Sequence, residues 1–111
     1  MGKDRPDLLH GTLTLLILKA IERESQHGYQ IARTIEAATN DVLKVEEGSL
    51  YPALHRMKQR GLIKASWGRS ENQRRAKFYE ITAVGRKTLH RETEEWGKYA
   101  SAVGRMLRTS E

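Results

Sequence analysis

Leu89, Thr93, Trp96, Ala100, Val103 and Leu107 recur at alternating intervals of four and three, with Tyr99 and Met106 beside them. That spacing belongs to one face of a continuous α-helix and, when sustained, to a coiled-coil seam. The pattern predicts a helix from just after Thr82 to Arg108. About 26 residues at ~1.5 Å each make a rod of ~39 Å, longer than a domain of this size can cover with its own atoms. Such a helix needs a partner. A second copy of the chain is expected, and packing back onto its own domain is the alternative. Gly97 and Gly104 interrupt the rod and weaken it by about 1 kcal/mol each.

At 111 residues the remainder holds one core, not two. Hydrophobic residues make up 38% and charged residues 31%, which is too apolar for a disordered chain. Cysteine is absent. A disulfide scaffold, a thiolate zinc site and a thiol nucleophile are therefore excluded, and a reducing cytoplasm is the expected location. The longest apolar run, Leu13 to Leu18 broken by Thr14, is far short of the roughly 20 residues that span a bilayer. With no charged-then-apolar leader, neither secretion nor a membrane is expected. His10, His27, His55 and His90 are scattered without metal-ligand spacing. No nucleophile elbow, phosphate loop or supported carboxylate pair appears, so neither an enzyme nor a cofactor is expected.

Along the chain, Leu9, Leu13, Leu16, Ile17 and Ala20 follow helical spacing, and Leu15, Leu18 and Ile21 broaden the apolar surface until the helix should be nearly surrounded. His27 and Gly28 break the pattern and shape the turn into a second helix, carried by Tyr29, Ile31, Ala32, Ile35 and Glu36 and ending near Thr39 and Asn40. Asn40 to Glu47 connects, with room for one helical turn. A third helix begins between Glu47 and Leu50, so that Pro52 falls in its first turn, and Gly61 terminates it. Leu50, Ala53, Leu54 and Met57 form its apolar stripe, leaving Ser49, Tyr51, His55, Arg56, Lys58 and Gln59 on other faces. Strands are predicted over Leu62 to Trp67 and Ala76 to Ile81, joined by the polar loop Gly68 to Arg75. A lone hairpin is marginal in water, so this one must lean on the helices. Its basic tip is either a solvated turn or a finger for phosphate. Thr82 is placed to cap the final helix, although Gly85 stands where a full capping box has Glu.

Charge then singles out one region. The net charge is +6, and residues 44 to 77 hold nine Lys/Arg against three Asp/Glu. Residues 1 to 43 hold five against six, and residues 78 to 111 six against five. A localised basic field suits a polyanion, since each neutralised phosphate releases a counterion, while a merely solvated basic face is the bland alternative. The element order is that of a winged helix-turn-helix, mainly α with a small β-hairpin. Residues 1–82 would form the DNA-binding domain and 83–111 a C-terminal dimerisation helix. In this arrangement the third helix enters a major groove amino end first, and the hairpin tip meets the backbone or minor groove. Both elements lie in the basic stretch.

The segments Leu13-Thr14-Leu15-Leu16-Ile17-Leu18, His27-Gly28-Tyr29-Gln30-Ile31, Glu47 through Met57, Gly61-Leu62-Ile63, and Arg74 through Thr82 with Gly85 occur in order across residues 8 to 89. Together they resemble the PadR-like transcriptional regulators. Asp41 through Leu54 and the wing Ser70 to Arg75 look most like the branch named after acidobacterial members. The resemblance implies a dimeric repressor that binds near-palindromic operators, in the compact subfamily without a separate effector domain. Phe78 departs from it, standing where many members carry a second tyrosine.

The candidate contacts to double-stranded DNA are Tyr29, Gln30, Ser49, Tyr51, Pro52, His55, Arg56, Arg69, Arg74, Arg75 and Lys77. Arg74 and Arg75 lead on the wing, and His55 and Arg56 come before Lys58 and Gln59. Tyr51 either touches DNA from the start of the recognition helix or covers the hairpin as a partly buried aromatic. Ser49 either caps that helix or donates to a phosphate. The candidate homodimer residues are Leu8, Leu9 and Leu13 from the first helix and Leu89, Trp96, Tyr99, Ala100, Val103, Met106 and Leu107 from the last. Trp96 serves as a packing anchor there, or as one wall of a site for a small, flat hydrophobic effector. The rival reading is a protein-interaction module that uses the arm or the basic face.

Overall fold

The computed structural model describes the backbone of residues 6–110 and the side chains of residues 11–110. Helix α1 (Pro6–Ala20) is followed by the short strand β1 (Gln26–His27), α2 (Gly28–Ala38), α3 (Glu47–Gln59), the hairpin strands β2 (Ile63–Arg69) and β3 (Arg75–Ile81), and α4 (Ala83–Arg108). The sheet order is β1-β3-β2, with both pairings antiparallel. Sequence periodicity anticipated only the hairpin. Two residues of β1 cannot show an alternation.

Leu13, Ile17 and Leu18 of α1, with Ile21 just beyond its end, meet Ile31 and Ile35 of α2, the α3 stripe Leu50, Ala53, Leu54 and Met57, and Ile63, Tyr79 and Ile81 of the hairpin. This is how the hairpin leans on the helices. Leu15 and Leu16 remain only half-buried, so the single chain does not surround α1 as its all-round apolar pattern predicts.

Boundaries follow from local chemistry. His27 caps α2: its Nδ1 accepts from the Gln30 amide at 3.3 Å, and Gln30 Oε1 accepts from the His27 amide at 3.0 Å. Two otherwise orphaned amides are thereby paired. Helix α3 ends in a Schellman motif. Gly61 takes φ +76°, and the Leu62 amide returns to the Met57 carbonyl at 3.0 Å. Thr82 Oγ1 accepts from the Gly85 amide at 3.0 Å and donates to the Gly61 carbonyl at 2.6 Å, tying the start of α4 to the end of α3. Gly85 explains the missing half of the capping box: a side chain there would run into the Leu62 carbonyl.

Two expectations about α3 need correcting. The helix starts at Glu47, so Pro52 lies in its second turn, where its ring leaves the Gly48 carbonyl without the usual amide partner. Its cap position is Glu46, whose side chain makes no capping bond, so Ser49 is an interior residue and not the cap. The hairpin strands also run further than predicted, to Arg69 and from Arg75, which shortens the connecting turn to residues 70–74. Asn40 to Glu46 forms an irregular connection in which Asn40 and Asp41 adopt positive φ.

Candidate nucleic-acid interface

The face of α3 opposite its buried stripe carries Gly48, Pro52, His55 and Gln59 at helical spacing, all exposed. Arg56 lies on one shoulder of this face, and Tyr51 and Lys58 lie on the other. Tyr51 is 44% exposed, and its ring and hydroxyl occupy the space a β-carbon at Gly28 would need. Only glycine at the start of α2 lets α3 come this close. Burial, and then the Glu47 carboxylate, push the Tyr51 phenol above its ordinary value. Burial, and then Tyr51 itself, do the same for Tyr79. Both phenols remain neutral hydroxyl donors. Tyr51 therefore has the exposure a DNA contact needs and the partial burial of a structural aromatic.

Beside it, Tyr29 is exposed at the second residue of α2. Arg33, one turn later, donates to the Tyr29 hydroxyl at 3.5 Å and places its guanidinium carbon 5.9 Å from the ring centroid. Sequence reasoning missed Arg33, although its four-residue spacing from Tyr29 was the available signal. Gln30 is half-buried and its side-chain oxygen is committed to the His27 cap, which leaves only its amide nitrogen for another partner.

The hairpin tip is a well-tied turn. The Ser70 amide donates to the Arg74 carbonyl at 2.8 Å, the Gln73 amide to the Ser70 carbonyl at 2.9 Å, and Gln73 takes φ 61°. Arg69 Nη1 donates to the Gln73 carbonyl at 3.0 Å, so this guanidinium helps hold the turn. By register, Ile63, Ala65, Trp67 and Arg69 share a sheet face with Ile81, Tyr79, Lys77 and Arg75. The base of that face is the core, and its outer half is cationic and aromatic. The guanidinium carbon of Arg75 sits 4.2 Å from the Trp67 ring centroid, and Lys77 Nζ sits 5.4 Å from it. Arg74 is exposed. Trp67 did not feature among the sequence candidates, because its neighbours depend on the cross-strand register.

Among the described residues, the ion pairs are Lys19–Glu22, Lys44–Asp41, His90–Glu94 and Arg91–Glu92. None involves Arg56, Lys58, Arg69, Arg74, Arg75 or Lys77. Among the described residues, the cations of α3 and the wing thus stand without carboxylate partners.

Opposite in character is α4. Gly85, Thr88 and Leu89 are buried against the winged unit, but Trp96, Tyr99, Val103, Met106 and Leu107 are all exposed, the last two above 70%. The molecule measures 57 × 34 × 22 Å and has a radius of gyration of 15.5 Å, against about 13 Å for a compact chain of this length. Among the candidate dimer residues, Leu13 and Leu89 must be reassigned. At 2% and 6% exposure they are already buried in the core of the single chain. The side chains of Leu8 and Leu9 lie outside the described residues. Between α1 and α4 lies a cavity of about 840 Å³ lined by Leu15, Leu16, Leu43, Leu89, Thr93 and Trp96, together with Lys19, Glu22, Arg86 and His90. No helix among the described residues is long and apolar enough to cross a membrane.

The model of the transcriptional regulator PadR-like family matches residues 17–91, more than half of the chain. A transcriptional regulator from Clostridium thermocellum superposes with a TM-score of 0.83 at 27% identity, covering 92% of this chain and 99% of that one. A PadR-like transcriptional regulator from Bacillus cereus gives 0.79 at 30% identity, with 94% and 99% covered. An uncharacterised protein X of Lysinibacillus sphaericus is 30% identical over 89% of this chain and 91% of its own length. Winged-helix fold, helical arm and family match agree: the chain belongs to the PadR-like family of transcriptional regulators, DNA-binding proteins and not enzymes.

Proposed function

We propose that the chain is a homodimeric repressor that occupies an inverted-repeat operator in the cytoplasm, with α3 in the major groove and the wing against the backbone or minor groove alongside. The observation that carries this reading is the set of cations on α3 and the wing that pair with no carboxylate among the described residues. Phosphates supply what the chain lacks. His55, Arg56, Pro52 and Tyr51 face the groove, Ser49, Tyr29 and the Gln30 amide nitrogen serve the flanking backbone, and Arg69, Arg74, Arg75 and Lys77 serve the wing. Residues 1–82 bind DNA and 83–111 pair the chains through Trp96, Tyr99, Ala100, Val103, Met106 and Leu107, assisted by Leu8 and Leu9. The first two turns of α4 belong to both. A twofold axis then sets the two α3 helices about 34 Å apart, in successive major grooves.

The test is a gel shift against the upstream region of its own gene across a salt series. Affinity should fall steeply and linearly on logarithmic axes as salt rises. Salt-independent or absent binding sinks the proposal and leaves the arm as a protein-interaction surface.

The cavity beside Trp96 favours a second element, a small planar hydrophobe acting as effector. Titration with such a dye should quench Trp96 emission in a Trp67→Phe background, where Trp96 is the remaining tryptophan. Unchanged emission with every planar hydrophobe tried removes the effector.

A further inference from the structure

An indole left 58% exposed beside a turn needs a reason, because exposed apolar surface adds nothing to the fold. Trp67 faces Lys77 directly across the ladder, and Arg75 lies on the adjacent diagonal of the same face. Residues so placed are within reach of each other's side chains. The two cations crowd one ring, at 4.2 and 5.4 Å, and repel each other. No carboxylate among the described residues relieves them, whereas the negative face of the indole attracts each.

We propose that Trp67 is a positioning residue for DNA binding, holding Arg75 and Lys77 extended along the wing so that phosphate meets preformed donors. The inference rests on the reading of the wing as a phosphate-contacting element. A guanidinium lying on a ring keeps its edge N–H groups free for bidentate contact with phosphate. A free arginine must give up its rotamer freedom at the moment of binding, and one already resting on a ring gives up less. The four wing cations therefore differ in kind. Arg69 holds the turn through the Gln73 carbonyl, Arg75 and Lys77 are pre-set by Trp67, and Arg74 is exposed at the tip.

Phosphate contacts carry no sequence information, so a fluorescein-labelled duplex of mixed sequence is a sufficient probe. Counting only the closer contact, that of Arg75, an exposed cation–π pair corresponds to about a threefold change in affinity, and the two wings of a dimer to about tenfold. W67A should therefore weaken the duplex complex about tenfold. Its salt slope should stay near wild type, because every cation remains, whereas R75A should lower the slope. W67F keeps a π face and should retain most of the affinity. In an R75A/K77A background, W67A should cost nothing further. Unchanged affinity in W67A, or an equal loss in that double-substituted background, overturns the proposal, the second result showing that the ring touches DNA itself. Should W67A lose its thermal transition, W67L, which fills the space without a π face, takes its place in the cycle, and either of the same two results overturns the proposal. A wild-type chain that binds no duplex at any salt overturns the DNA reading and this inference together, while a wild-type shift insensitive to W67A overturns only the inference.

Discussion

The wing and the outer arm of α4 are both left incomplete by the single chain, for opposite physical reasons. The arm exposes Trp96, Tyr99, Val103, Met106 and Leu107 and lacks apolar cover. The wing carries exposed Arg74 and Arg75 and half-buried Lys77 beside Trp67 and lacks anions. Apolar burial is nearly indifferent to salt over the range in which counterion release dominates nucleic-acid binding. One variable, ionic strength, thus separates the two surfaces: pairing of the arms should survive a salt concentration that strips DNA from the wings.

The largest expected effect breaks the arm. Val103 lies outside the core, so V103D should leave the single chain folded. A hot-spot residue is worth at least about 2 kcal/mol, and twofold symmetry counts it twice, which raises the dimer dissociation constant about a thousandfold. Sedimentation at low and high salt should show monomers in both. A V103D chain that still pairs takes the seam away from this face of α4.

How far these surfaces could be anticipated depends on how local their causes are. The end of α4 at Arg108 and the stop at Gly61 follow from spacing and from a glycine at positive φ, both visible within a few residues. The strand extension to Arg69 and Arg75 was hidden because the added residues, Gly68, Arg69 and Arg75, show no apolar alternation. Leu89 carries the seam spacing and Leu13 the helical spacing of α1, yet tertiary packing buries both inside one chain, which no periodicity distinguishes from burial between two. The contact of Tyr51 with Gly28 joins residues 23 positions apart, and the Trp67 cluster depends on a register set across a turn.

Gly28→Ala should come second in size and act on the DNA side alone. The added methyl meets the Tyr51 ring and hydroxyl, a side chain that can swing outward but only by giving up its half-buried place. Overpacking of this kind costs about 2 kcal/mol. Thermal unfolding should move down by several degrees and DNA affinity should fall, with the dimer constant unchanged. Base titration examines the same contact. Because burial raises the Tyr51 and Tyr79 phenols above 10.0, the folded chain keeps protons that the unfolded chain loses. Stability should therefore be intact below pH 10 and decline above it.

Arg74→Ala sharpens the wing half of the comparison. The side chain is exposed at the tip, so the unfolding transition and the dimer should not move. Each wing that loses one phosphate contact lowers the salt slope by about 0.9, and a dimer by about twice that. Operator preference should stay as it was, since the lost contact reads no base. An unchanged slope assigns Arg74 to solvent.

The smallest change, Gly97→Ala, asks how closely two arms approach. A β-carbon at Gly97 meets nothing within 4 Å in the single chain. In an isolated arm, alanine should therefore stabilise the helix by up to about 1 kcal/mol. Gly97 flanks the seam residue Trp96, and in a pair of arms that are separated by their large side chains the methyl still has room, so the dimer should tighten or hold. If the backbones instead come together at the glycine, the same methyl collides across the axis and the dimer loosens while the helical content of the monomer rises. Helicity from circular dichroism and the dimer constant from sedimentation, taken on one variant, separate the two geometries, because the sign of the second measurement is set by the partner and the sign of the first by the chain alone.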